Sequence, residues 1–123
     1  MAYFKFESEE HFHSTWTPII DVYERPNEVI VCVETPGVYK KDIQLRWREG
    51  ILTVAGSKRR QPSDEEGVRF LCVERNYGYF RRDVAISADI DFDNAIAELR
   101  EGLLSIRLPK IPDEAKESVI PIE

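Results

Sequence analysis

The chain is predicted to be all-β, and three observations carry that expectation. Apolar and polar residues alternate, as in Val29, Val31 and Val33 and again in Ile43, Leu45 and Trp47, which is the period of a half-buried strand. Short clusters of Pro, Gly and Asn separate these runs, and such residues stop a ladder. The stretch Arg48-Glu49-Gly50-Ile51-Leu52-Thr53-Val54 is echoed by Arg100-Glu101-Gly102-Leu103-Leu104-Ser105-Ile106, so one hairpin design is used twice.

The elements follow in order. Residues Met1 to Trp16 hold five of the thirteen Phe, Trp and Tyr residues, at Tyr3, Phe4, Phe6, Phe12 and Trp16, without helical or strand periodicity. They are expected to form a flexible arm, packed either on its own domain or against another subunit or a client. From Pro18 the pattern is β: Ile19 to Tyr23 is a first strand, Arg25-Pro26-Asn27-Glu28 a turn, and Val29 to Thr35 a second strand that ends at Pro36-Gly37. Ile43, Leu45 and Trp47 face inward from a third strand, which reverses at Glu49-Gly50 into a fourth, Ile51 to Ala55.

Ser57 to Gly67 is the one long polar stretch, of a length usually found in functional or mobile loops. Val68 to Arg75 and Tyr79 to Ile86 return to strand composition, and Asp89 to Asp93 makes a turn. The last hairpin runs from Ala95 to Pro109, with Ala95, Ala97 and Leu99 on one arm and Leu104, Ile106 and Leu108 on the other. Gly102 supplies the positive φ of its turn. The tail, Ile111 to Glu123, ends in Val119-Ile120-Pro121-Ile122, where proline holds the chain extended and the isoleucines project like two prongs. It is read either as an edge strand on its own domain or as a linear motif docking in a neighbour's groove.

The 123 residues fit one domain with short tails, divided at 1–16, 17–110 and 111–123, and they are enough for a core without staples. The formal net charge of -6 argues against nucleic acid, whose affinity comes from clustered cations. Lys40-Lys41, Lys58-Arg59-Arg60 and Arg81-Arg82 are read as solvated or ion-paired. No run approaches the length of a membrane span, and Cys32 and Cys72, both placed mid-strand, lack C-x-x-C spacing; a cytoplasmic protein is expected. His11 and His13 have no companion ligands, so no metal is expected. No nucleophile-base pair, phosphate loop or dinucleotide fingerprint is present, so no catalytic residue and no cofactor is expected.

Ala97-Glu98-Leu99-Arg100-Glu101-Gly102-Leu103-Leu104 resembles the A-x-x-x-n-G-v-L box of the small heat-shock proteins, the α-crystallin-domain family. Other matches fall in the family's order: Pro18 to Glu24, Pro36-Gly37-Val38 with Lys41-Asp42-Ile43, Gly50 to Gly56, and Val73 to Phe80. Ile120-Pro121-Ile122 resembles its I-x-I motif. Val84, Ser87 and Thr35 depart from residues common in the family, and Trp47 is bulkier than usual and reshapes the expected groove.

The resemblance implies an immunoglobulin-like β-sandwich that dimerises, builds a homo-oligomer and holds unfolding client proteins without ATP. It further implies that Ile120 and Ile122 dock between Ile43, Leu45 and Trp47 on one wall and Ala95, Ala97 and Leu99 on the other. Val68, Arg69 and Phe70, or the residues just before them, are implied to pass to the partner's sheet, and Arg82 to meet an acid across the dimer interface. The aromatic arm is the implied client surface. A co-chaperone module of the related CS type is the alternative, although such modules generally lack the tail motif and the long loop.

Overall fold

The computed structural model describes residues 15–60, 67–113 and 118–123. Seven strands are formed among them: β1 (Ile20–Glu24), β2 (Glu28–Glu34), β3 (Ile43–Arg48), β4 (Ile51–Lys58), β5 (Gly78–Ala85), β6 (Ile96–Arg100) and β7 (Leu103–Pro109). All pairings are antiparallel. They make one sheet in the order β1-β2-β7-β6 and another in the order β3-β4-β5.

Register explains the core. Across the larger sheet, Ile20, Val33, Leu104 and Leu99 stand in one row and Val22, Val31, Ile106 and Ala97 in the next. Across the smaller sheet the rows are Ile43-Gly56-Phe80, Leu45-Val54-Arg82 and Trp47-Leu52-Val84. Side chains in a row share a face, and the central ones, Val31, Val33, Leu52, Val54, Phe80, Ile106 and Leu108, are fully buried between the sheets.

Both repeated hairpins turn in the same way. Glu49 and Gly50 have φ of 50° and 77°, and Glu101 and Gly102 have φ of 51° and 78°. Two consecutive left-handed residues are the signature of a turn whose twist matches that of the strands, so the glutamate shares the left-handed geometry expected of glycine alone.

Three expectations are corrected. Val68 to Arg75 is not a strand: despite its β composition it runs as exposed irregular chain, because a strand needs a partner and no sheet edge of this chain pairs with it. Cys72 is therefore exposed and outside any strand, whereas Cys32 lies half-buried on β2. The fourth strand also continues past Ala55 to Lys58, since Gly56, Ser57 and Lys58 pair with Phe80, Tyr79 and Gly78. The expected turn near Asp89 to Asp93 contains a short 3-10 turn at Phe92–Asn94. No helix among the described residues is long and apolar enough to cross a membrane.

Candidate functional site

The larger sheet is one strand wider than the smaller, and inward-facing residues on both of its edge strands, Val22 of β1 and Ala97 of β6, stay exposed. On the β6 margin, Ala97 shares a row with buried Ile106, yet it is exposed. The small side chain leaves that stretch of inner face open. Ala95 and Leu99 on either side of it are half-buried and packed on the core, as are Ile43, Leu45 and Trp47 of β3. Five of the six groove residues expected from the sequence thus touch one core cluster, and the sixth lies on the same face of β6.

Trp47 stacks on Phe92, with ring centroids 6.0 Å apart and planes 14° apart. Phe92 stands three residues before Ala95, so the stack joins β3 to the segment that enters β6. The tail lies away from the core: Ile120 is 86% and Ile122 98% exposed.

The β1 margin is the second opening, and it was missed in the sequence. Val22 belongs to an inward row but is 45% exposed, and Ile19 just ahead of the strand is also exposed. The signal was present, since Ile19, Ile20 and Val22 hold more apolar surface than one strand face needs. Across from this margin, Arg82 lies between Phe80 and Val84 on the inward face of β5, and its guanidinium donates to the Pro18 carbonyl at 3.5 Å. Among the described residues it has no carboxylate partner. Val68, Arg69, Phe70, Leu71 and Val73 are all exposed, Leu71 at 87%.

Trp16, the end of the aromatic arm, is anchored on its own domain. Its ring centroid is 4.8 Å from that of Phe80, and its indole N–H donates to the Gly78 carbonyl at 3.1 Å. Tyr3, Phe4, Phe6 and Phe12, with His11 and His13, lie outside the described residues, as does the loop stretch 61–66.

The basic doublets resolve individually. Arg59 makes a two-point pair with buried Asp42, at 2.6 and 3.0 Å, and Arg81 pairs with Asp83 at 3.2 Å. Lys58 is only 8% exposed, its ammonium lying 5.9 Å over the Trp16 ring. Burial, and then the neighbouring Arg75 charge, hold its pKa below the ordinary lysine value.

Residues 21–123 match the Hsp20/alpha crystallin family. The chain is 38% identical over 110 residues to Heat shock protein 16 of Schizosaccharomyces pombe, covering 87% of this chain and 76% of that protein. It is 32% identical over 93 residues to a 17.7 kDa class II heat shock protein of Arabidopsis thaliana, covering 75% of this chain and 60% of that one.

Among solved structures, Heat shock protein 16.0 from Schizosaccharomyces pombe superposes with a TM-score of 0.75 at 36% identity, over 88% of this chain and 99% of that chain. A small heat-shock protein from Xylella fastidiosa, described as having a distinct high order structure, gives 0.74 at 30%, over 89% and 97%. The chain belongs to the Hsp20/alpha crystallin family, and its fold is the α-crystallin domain.

Proposed function

We propose that this protein is an ATP-independent chaperone that holds partly unfolded proteins and prevents their aggregation, working as a homodimer assembled into larger homo-oligomers. The observation that carries the reading is the pair of uncovered inner margins, accompanied by two exposed apolar segments of the same chain. Apolar surface of this kind is favourable to bury at about 25 cal/mol per Å², and a monomer leaves it wet.

Each margin suits one segment. The groove of Ile43, Leu45, Trp47, Ala95, Ala97 and Leu99 suits Ile120 and Ile122 of a neighbour, whose proline lowers the ordering cost of docking. The β1 edge suits the Val68–Phe70 stretch of a partner, with Arg82 meeting an acid there. Grooves released from their tails, together with the aromatic arm, are then available to apolar stretches of clients.

Mixing the protein with a thermally aggregating client at near-equimolar subunits, without nucleotide, suppresses light scattering if the reading is right. Unchanged scattering at several-fold excess rejects it.

A further inference from the structure

The groove between β3 and β6 has two distinguishable ends. The Thr35 N–H donates to the Gly102 carbonyl at 2.7 Å, which sets the tip of the β6–β7 hairpin against the segment that leads through Lys40–Asp42 into β3. Ile43 and Leu99 therefore share one end. The Trp47–Phe92 stack joins the last turn of β3 to the segment entering β6, so Trp47 and Ala95 share the other.

The ends carry opposite charge. Lys40 and Lys41 stand three and two residues before Ile43, with Asp42 between; the Lys41 ammonium lies 5.8 Å over the Tyr39 ring, and among the described residues neither lysine is in an ion pair. The other charges at that end are Asp42, neutralised by Arg59, Glu98, paired with Arg100 at 2.7 Å, and Glu101 at the hairpin tip. At the Trp47 end stand Glu49, Asp91 and Asp93 against Arg48. Asp91 accepts a bond from the Asn94 amide at 2.6 Å, and neither Asp91 nor Asp93 is in an ion pair among the described residues.

The charges flanking the prongs are unequal: Glu123 adjoins Ile122 on one side, whereas on the other Ser118 and Val119 separate Ile120 from Lys116-Glu117, whose opposite charges offset each other. Ser118, Val119, Ile120, Pro121 and Ile122 are uncharged, and Glu123 follows Ile122 directly. In extended chain the two isoleucines stand about 6.8 Å apart, the repeat of alternate residues on a strand. They therefore match successive inward positions of the groove walls.

We propose that a second copy's tail docks in one direction only, with Ile122 between the Ile43 and Leu45 positions, toward Leu99, Glu123 directed to Lys40 and Lys41, and Ile120 between the Leu45 and Trp47 positions, toward Ala95. It then runs alongside β6 in the same sense and opposite to β3. The reversed direction sets Glu123 among Glu49, Asp91 and Asp93, where like charges repel. The inference rests on the docking reading above and adds to it Lys40 and Lys41 as the residues that set polarity.

The test uses the full chain carrying Ile120→Gly and Ile122→Gly, so that its own tail does not compete, and a synthetic peptide of residues 118–123 with capped ends. Binding is measured by titration calorimetry. Glu123→Lys in the peptide, or Lys40→Glu with Lys41→Glu in the protein, weakens binding by about five-fold at low salt, and combining them restores it; exposed pairs act on this scale. The difference narrows in high salt.

Binding indifferent to both reversals overturns the polarity while leaving docking intact. Tighter binding of the Glu123→Lys peptide, abolished by Asp91→Lys with Asp93→Lys, establishes the opposite direction and also overturns it. Absence of any binding by the unaltered peptide overturns the docking reading and the polarity with it.

Discussion

Gly56 lies in the middle of β4, where a side chain would be usual, and the reason is contact. A β-carbon there would stand 2.2 Å from the Asp42 carbonyl and 2.7 Å from the Phe80 ring. Gly56→Ala therefore forces β4 away from the turn before β3 and is expected to cost about 1–3 kcal/mol, as overpacking does. A lowered denaturant midpoint with an unchanged slope would show it.

Lys58 makes a second prediction at this scale. Its folded pKa is lowered by burial and by Arg75, so between that value and the unfolded one the unfolded chain binds more protons. Stability then rises with pH through that window, and the lysine is most costly below it. Lys58→Met is expected to raise the melting temperature at pH 7 and to lose that gain as pH rises towards the ordinary lysine value. A gain that stays constant with pH would contradict this reading.

At the scale of elements, the margins of the larger sheet invite separate tests. Ala97 is exposed in the single chain, so Ala97→Phe should change monomer stability by less than about 0.5 kcal/mol while filling the groove. Native mass measurement should then show smaller assemblies with an unchanged unfolding midpoint. Deleting residues 61–67 shortens the reach of the segment that follows and should raise the dimer dissociation constant, which sedimentation measures directly. An unaltered constant rejects transfer of the Val68–Phe70 stretch to a partner.

What the sequence discloses divides along the same lines. Alternation and paired turns reveal strands that find partners within the chain, so β2, β3 and the β6–β7 hairpin are legible. Val68 to Arg75 has the same composition and is not a strand, because composition does not say whether a partner edge is present. Alternation likewise places Ala97 and Val22 on an inward face without telling whether the opposite sheet reaches them. That answer depends on how the two layers meet, which alternation within one strand does not encode.

The described residues form a sandwich of four strands against three, closed in its middle, with inward-facing Val22 and Ala97 exposed on its β1 and β6 edges. Among the described residues, two exposed apolar segments, at Val68–Val73 and Val119–Ile122, are matched in chemistry to those edges. The proposed self-association through the tail would account together for the small Ala97, the stiff Pro121 and the exposure of Ile120 and Ile122. Native mass spectrometry of the unaltered chain beside the variant carrying Ile120→Gly and Ile122→Gly tests it most directly. Assemblies of several dimers that collapse to single dimers in the variant are the expected result, and an identical mass distribution for the two proteins would contradict it.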